Sequence, residues 1–231
     1  MDDPWQSGGL PLLNIAATVP ATRTLGPGLR AAAWVQGCCF NCPGCISPEW
    51  IPKELARQVT PQDLASELLA NPEIEGLTFS GGEPMLQAAG LASVVRLARL
   101  QRQQNRQEPL NVVSFTGFTL EQLRRSSGRM PGVEDFLGEI DVLIDGLYRA
   151  ELNDSRGLRG SSNQRIHYLT GRLTGADFEH KPRQSEIHIG DGYAFLVGVP
   201  APEVLRSFQQ ALDQARKSSE KASKTADDPP N

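Results

Sequence analysis

Ala31-Ala32-Ala33-Trp34-Val35 runs through Gln36-Gly37 into Cys38-Cys39-Phe40-Asn41-Cys42-Pro43-Gly44-Cys45. The apolar run reads as a strand that delivers the chain directly into a cysteine loop. All four cysteines of the protein lie in that loop. A disulfide framework would staple distant segments, so this clustering points to metal ligands or a redox centre. The spacing C-x3-C-x2-C at Cys38, Cys42 and Cys45 lets one bend of backbone wrap a cube of iron and sulfur. Three thiolates can hold three irons of a four-iron cluster and leave the fourth open. Gly44 suits a tight bend because it lacks a Cβ, and Pro43 stiffens the loop. Cys39 directly follows Cys38, so in an extended segment its side chain points away from the ligand direction. A structural zinc site is the alternative. Zinc favours four closed ligands, commonly as two separated pairs, and here only a distant histidine (His167, His180 or His188) could complete it.

Working outward, Gly76-Leu77-Thr78-Phe79 reads as the next strand and ends in Ser80-Gly81-Gly82-Glu83-Pro84. Two glycines allow close backbone approach to a ligand. Glu83 can receive an ammonium group through a charge-assisted hydrogen bond, typically worth about 1.5–3 kcal/mol. Between the two motifs, Thr60-Pro61-Gln62-Asp63 opens a helix, with Thr60 as N-cap and Pro61 at the first helical position. Leu64, Leu68 and Leu69 lie on one face of it. A longer helix is expected from Leu86 to Gln104, with Leu91, Val94, Val95 and Ala98 marking its inward side. Val112-Val113-Ser114-Phe115 and Asp141-Val142-Leu143-Ile144-Asp145 read as further strands, and Thr119-Leu120-Glu121-Gln122 has the form of a capping box. Ala194-Phe195-Leu196-Val197 reads as the last strand, and Pro202 to about Gln214 as a closing helix. Strands alternating with helices argue for an α/β fold with a parallel sheet and helices outside. The chain is short for a complete eight-unit barrel. The expected architecture is therefore a partial, open parallel β/α barrel.

Composition bounds the function. At 231 residues, 39% hydrophobic and 22% charged, the chain is ordinary for a globular protein. A formal net charge of −4 gives no basic footprint for nucleic acid. No apolar run approaches the roughly 20 residues that span a bilayer. The start, Met1-Asp2-Asp3-Pro4-Trp5, is acidic and lacks the order of a signal peptide, which leaves the cytoplasm as the expected location. Beyond Gln214 the sequence turns to Lys, Ser, Ala, Asp and Pro without apolar periodicity. One domain over residues 1–213 and a disordered tail over 214–231 are expected.

Together, the cysteine loop and the glycine-glycine-Glu-Pro segment resemble the radical S-adenosylmethionine superfamily. The resemblance implies a [4Fe–4S] cluster on Cys38, Cys42 and Cys45, with the methionine amino and carboxylate groups of S-adenosyl-L-methionine on the fourth iron. It places Gly81, Gly82 and Glu83 at the methionine end. It also implies reductive cleavage to a 5′-deoxyadenosyl radical, fed by a donor such as flavodoxin or ferredoxin. Beyond the cluster ligands, no separate catalytic residue is assigned. A narrower resemblance, over roughly Leu13 to Pro200, is to the activating proteins of glycyl-radical enzymes. It rests on Gly26-Pro27-Gly28-Leu29-Arg30 and Cys42-Pro43-Gly44-Cys45. Asp141 to Gly146 and Arg159-Gly160-Ser161-Ser162-Asn163-Gln164-Arg165 look like the anaerobic ribonucleotide reductase branch. The implied partner is a glycyl-radical enzyme. Ile46-Ser47 departs from the His-Asn that these activases often carry, and Cys39 is a second departure.

Strand ends supply further candidates. Ser114 and Thr116 are candidates for the ribose, with turn capping as the other reading; Asp145 could serve ribose or partner. Gly198-Val199-Pro200 is placed beside the adenine. The segment from Gly146 to Arg165, with Arg149, Arg156, Arg159 and Arg165, is read as a docking surface for the partner, since arginine pairs well with carboxylates and backbone acceptors. The second functional reading is a small-molecule radical enzyme resembling the 7-carboxy-7-deazaguanine synthases.

Overall fold

The computed structural model describes residues 12–126, 128–190 and 193–226. The acidic start, Met1 to Trp5, and the last tail residues, 227–231, lie outside the described residues. In chain order the strands and α-helices are β1 (Leu13–Thr22), β2 (Arg30–Val35), β3 (Arg57–Val59), α1 (Pro61–Leu68), β4 (Gly76–Gly81), α2 (Ala88–Gln104), β5 (Asn111–Phe115) and α3 (Leu120–Ser126). There follow α4 (Val133–Glu139), β6 (Val142–Asp145), β7 (Arg165–Tyr168), β8 (Ser185–Gly190), β9 (Tyr193–Gly198) and α5 (Pro202–Ala226). Among the described residues the main sheet has the order β3-β1-β2-β4-β5-β6-β7. Its centre, β2-β4-β5-β6, is parallel, while β1, β3 and β7 pair antiparallel at its two sides.

Side-chain alternation along β2 sets the layers. Ala31, Ala33 and Val35 join the core beneath α1, α2 and α4, where Leu64, Leu68, Leu91, Val94, Val95, Ala98 and Phe136 pack on Leu77, Phe79 and Val112. Ala32 and Trp34 point to the opposite face and meet Val197 of β9. On that same face Val113, Val142 and Ile144 are covered by Leu173 and Phe178. This period of two is what a sheet covered on both sides requires. Thr60 caps α1 by accepting the Asp63 N–H at 3.1 Å. The capping box at Thr119 closes in both directions, Gln122 N–H to Thr119 Oγ1 and Thr119 N–H to Gln122 Oε1.

Three sequence expectations are corrected. Ala194–Val197 does form a strand, but it pairs with β8 in a separate antiparallel hairpin rather than extending the parallel sheet. The βα alternation also stops after β6. The connection from Gly146 carries only a short 3-10 turn at Ala150–Leu152, and β7 returns antiparallel along β6. The sheet is therefore mixed, with a parallel centre. Finally, the closing helix does not end near Gln214 but continues to Ala226. Ala, Lys, Gln, Glu and Arg are good helix formers, and no proline interrupts them before Pro229, so propensity carries the helix on without apolar periodicity. A smaller difference lies at Leu86. Pro84–Gln87 forms a 3-10 turn before α2, because the Glu83 carboxylate accepts the Met85 N–H at 2.9 Å.

Arg30 fixes the end of the sheet remote from the cysteines. It is fully buried, and its guanidinium donates to Thr78 Oγ1 at 2.8 Å, Leu77 O at 2.6 Å, Pro27 O at 3.0 Å and Asn111 Oδ1. Burial lowers its pKa to about 9. The resemblance segment Gly26 to Arg30 is thus a structural brace. A Cβ on Gly76 would lie 2.4 Å from Asn111 Oδ1 and 2.5 Å from Arg30 Nη1. Gly76→Ala is therefore expected to destabilise the fold by about 1–3 kcal/mol, the usual cost of overpacking. Urea titration should show a lower midpoint at unchanged slope. A midpoint equal to that of the natural chain would show that the Arg30 brace yields freely.

Candidate active site

The carboxyl ends of the parallel strands converge on one cleft. Its lining includes Cys38, Cys42 and Cys45 after β2, Ser80 to Pro84 at and after β4, Phe115 to Gly117 at and after β5, and Gly146 and Tyr148 after β6. A crevice outside the carboxyl ends of the strands is where open α/β sheets bind ligands. Gly198 and Val199, ending β9, also line it, as do Ile46 and Ser47, the positions that depart from the activase pattern.

The cysteine loop is held by its backbone. Gly37 N–H donates to Trp50 O at 2.9 Å, and Cys38 N–H to Ile51 O at 3.0 Å. Cys45 N–H closes a turn onto Cys42 O at 3.1 Å, with Gly44 at φ +72°. Trp50, whose carbonyl anchors the loop, packs in an aromatic cluster with Trp34 and Phe195 at centroid distances of 5.1–5.8 Å. Phe40, inside the loop, meets Phe118 edge-on at 4.7 Å. A Cβ on Gly117 would come within 2.6 Å of the Phe40 ring, so that glycine keeps room for it.

Cys38, Cys42 and Cys45 are half-buried, while Cys39 is exposed and off the lining. Burial pushes the Cys38 thiol up to about 11 and also raises Cys45. Neighbouring Cys42 and Glu83 charges add to the rise at Cys38. A bound cation inverts this logic and takes thiols as thiolates. The donor set in the cleft is three soft sulfurs, which suits iron–sulfur chemistry. Among the described residues, no three His, Cys, Asp or Glu side chains converge on a point that would hold a single ion. A cluster does not need that convergence, because its protein ligands sit on separate irons. The histidines that could have completed a zinc site lie elsewhere, each near a carboxylate: His167 by Asp145, His180 by Asp177 and His188 by Glu186. These residues therefore fit a cluster with one iron free of protein.

Glu83 is 1% exposed and receives three donors: Met85 N–H at 2.9 Å, Thr116 Oγ–H at 2.8 Å and Gly117 N–H at 2.8 Å. Burial dominates over these bonds and pushes its carboxyl up to about 7. Gly81 and Gly82 line the cleft, yet their missing Cβ atoms serve protein backbone first. At Gly81 a Cβ would fall 2.4 Å from Val35 N, and at Gly82 2.2 Å from Gly37 O. Gly82 N–H and Glu83 N–H donate to Val35 O and Gly37 O, which welds the end of β4 to the start of the cysteine loop. The two motifs are thus one structural unit.

The strand-end candidates divide. Thr116 lines the cleft with its hydroxyl committed to Glu83. Ser114 is fully buried and not in the lining, because alternation along β5 sends it to the side of Val112, under the helices. Asp145 accepts the Leu120 N–H at 2.6 Å and so caps α3. It also lies 2.8 Å from His167 Nε2. Arg159 is not a free docking group, since it pairs with Asp154 at 3.1 Å and is largely covered. Arg149, Arg156 and Arg165 are exposed. Sequence reasoning missed Phe115, Tyr148, Gly160 and Gln164 as lining residues. Gln164 Oε1 accepts the N–H groups of Gly160 and Ser161, and its amide donates to Gly146 O at 2.7 Å. Both Gly160 and Gln164 lie in the Arg159 to Arg165 motif that carries the activase resemblance.

The 4Fe-4S single cluster domain family matches residues 24–167, which contain both motifs. The anaerobic ribonucleoside-triphosphate reductase-activating protein of Vibrio cholerae is 34% identical over 165 residues, 68% of this chain and 99% of its own length. The protein of the same name from Enterobacteria phage T4 is 29% identical, over 67% of this chain and 93% of its own. A pyruvate formate-lyase-activating enzyme of Staphylococcus epidermidis is 43% identical over 68 residues, 27% of each chain. Among the described residues no helix is long and apolar enough to cross a membrane. With its cysteine triplet and glycine-glycine-Glu-Pro segment on one cleft inside the matched span, the chain belongs to the 4Fe-4S single cluster domain family, alongside the anaerobic ribonucleoside-triphosphate reductase-activating proteins.

Proposed function

We propose that this chain is a radical S-adenosylmethionine activase that installs a glycyl radical on a partner enzyme of the anaerobic ribonucleotide reductase type. The observation that carries the reading is the weld between the two motifs, which puts three half-buried thiols and the buried Glu83 on one cleft at the strand ends. In this reading Cys38, Cys42 and Cys45 hold a [4Fe–4S] cluster, and Gly81, Gly82 and Glu83 form the methionine end of the cosubstrate site. Cluster and cosubstrate together supply reductive carbon–sulfur cleavage and a 5′-deoxyadenosyl radical that takes hydrogen from a backbone glycine.

The protein's own part is positioning and exclusion. Glu83 offers negative charge to the cosubstrate ammonium in a site where burial strengthens the attraction. Thr116 acts through Glu83, holding one carboxylate oxygen, and not through the ribose. Ser114 has no direct part in the site. Phe40, Phe115, Trp34 and Tyr148 give the cleft apolar walls that limit water beside a reactive radical. The parallel centre of the sheet supports the finer reading of the fold as an open, partial barrel of the radical S-adenosylmethionine type. A cytoplasmic location, a flavodoxin or ferredoxin donor and a catalytic domain over residues 1–213 belong to the same proposal.

The test is anaerobic reconstitution with iron and sulfide, followed by S-adenosylmethionine and dithionite. Formation of 5′-deoxyadenosine, and a glycyl radical signal on an added anaerobic ribonucleotide reductase, are the expected results. A fully loaded protein that yields no 5′-deoxyadenosine would overturn the enzymatic reading. One that yields it without a partner radical would overturn the partner.

A further inference from the structure

Arg183 lies outside the matched span and begins the approach to β8, yet its guanidinium reaches into the wall of the cleft. Nη2 donates to Arg159 O at 2.6 Å and to Gly160 O at 3.0 Å. Nη1 donates to Asn153 Oδ1 at 2.8 Å and makes a longer contact with Pro200 O at 3.4 Å. Asn153 Nδ2 in turn donates to the Tyr148 hydroxyl at 3.2 Å. Two of the residues reached, Gly160 directly and Tyr148 through Asn153, line the cleft. They also touch each other, since a Cβ on Gly160 would fall 2.9 Å from the Tyr148 ring. Pro200 follows Val199 and Gly198, which line it as well.

The segment from Gly146 to Gln164 has no helix or strand to stiffen it beyond the short turn at Ala150–Leu152. Backbone bonds from Gly157 N–H to Lys181 O at 3.0 Å and from Leu158 N–H to Phe178 O at 2.7 Å tie its middle to the chain before β8, and on either side of them its conformation depends on side chains that satisfy its backbone. Gln164 does this from within the segment, and Arg183 does it from outside. A planar guanidinium with its fixed fork of donors suits the task, because it can serve several acceptors in one plane at once; an ammonium cannot.

We infer that Arg183 is a positioning residue for the cosubstrate cleft, holding the wall formed by Tyr148 and Gly160 in register with the end of β9. The inference rests on the activase reading for its kinetic consequence only. Hydrogen–deuterium exchange of the reconstituted full chain tests the geometry without any turnover. In Arg183→Met, peptides covering residues 146–164 are expected to exchange at least tenfold faster, while those covering β2, β4 and β5 keep their protection. The KM for S-adenosylmethionine should rise about tenfold, with uncoupled kcat at saturation within about twofold. Arg183→Lys, which keeps the charge but not the fork, should fall between the two in both measurements.

If Arg183→Met does not fold, Arg183→Lys and Asn153→Ala carry the test, since the second cuts only the branch to Tyr148. Unchanged exchange over 146–164 in both variants would overturn the inference. So would faster exchange confined to residues 182–200, or a fall in kcat at unchanged KM. Absence of 5′-deoxyadenosine from the natural chain would count against the activase reading alone, since the exchange result stands apart from it.

Discussion

Cys42→Ser is expected to abolish 5′-deoxyadenosine formation, with iron falling to background after anaerobic reconstitution. Serine keeps the size of the side chain but replaces a soft thiolate by a hard hydroxyl of much higher pKa, which iron–sulfur clusters rarely accept. Cys42 is the middle one of the three proposed ligands, and Cys45 turns back onto its carbonyl at 3.1 Å. Loss of its sulfur leaves two thiols, too few to hold three irons. The activity loss should exceed about 100-fold, more than the removal of a residue that merely supports a ligand. Cys39→Ser supplies the contrast, because Cys39 is exposed and outside the cleft lining. Its iron content and product yield should match those of the natural chain. Iron analysis and product chromatography on both variants decide the point, and equal losses in the two would show that the ligands have been assigned wrongly.

Glu83→Ala is expected to be the costliest single change at the cosubstrate end. It removes the acceptor of the Met85 N–H and the Thr116 hydroxyl, both buried, and of the Gly117 N–H, which is part-buried at the cleft. Unpaired buried donors cost about 1–3 kcal/mol each, so a loss of about 2–5 kcal/mol is expected after relaxation. Cosubstrate binding should also fall to a level that saturation cannot restore. The pH dependence carries a distinct sign. Glu83 has its carboxyl raised from an ordinary value of 4.5 to about 7 in the fold. Between those values the native state binds more protons than the unfolded chain, so stability falls as pH rises through the window and levels off above it. Glu83→Gln removes the titrating group and should flatten that part of the profile. Below pH 7 the protonated carboxyl attracts an ammonium poorly, so KM for S-adenosylmethionine should climb as pH falls. Denaturant melts at several pH values, with and without Glu83→Gln, check the first statement. A natural chain that grows more stable from pH 5 to pH 7 relative to Glu83→Gln would contradict it.

The parts of the fold written in local chemistry were legible. The Thr60 cap, the Thr119 box and the Leu91 to Ala98 stripe all read correctly because each depends on residues three or four apart. The parallel centre followed from alternating strands and helices. The β8–β9 hairpin did not, since Ala194–Val197 looks like any buried strand, and only its partner Ser185–Gly190 decides the sheet it joins. The helical stretch from Gln214 to Ala226 lacks apolar periodicity, so only its helix-forming residues mark it in the sequence. At the site, the cysteine spacing and Gly81-Gly82-Glu83 were readable as motifs. That Thr116 serves Glu83, that Ser114 turns under the helices, and that Arg183 braces the wall are tertiary facts. No local pattern around Arg183 announces its partners, which lie 23 to 30 residues earlier in the chain and, at Pro200, 17 residues later.

The measurement closest to the central claim is the electron paramagnetic resonance spectrum of the reconstituted, dithionite-reduced protein before and after S-adenosylmethionine is added. A reduced [4Fe–4S] signal whose g-values shift on addition is expected, because in the proposed assignment three cysteines would hold the cluster and leave one iron to take the cosubstrate. A spectrum that saturating S-adenosylmethionine leaves unchanged, or a protein that retains a single zinc ion and takes up no iron, would contradict it.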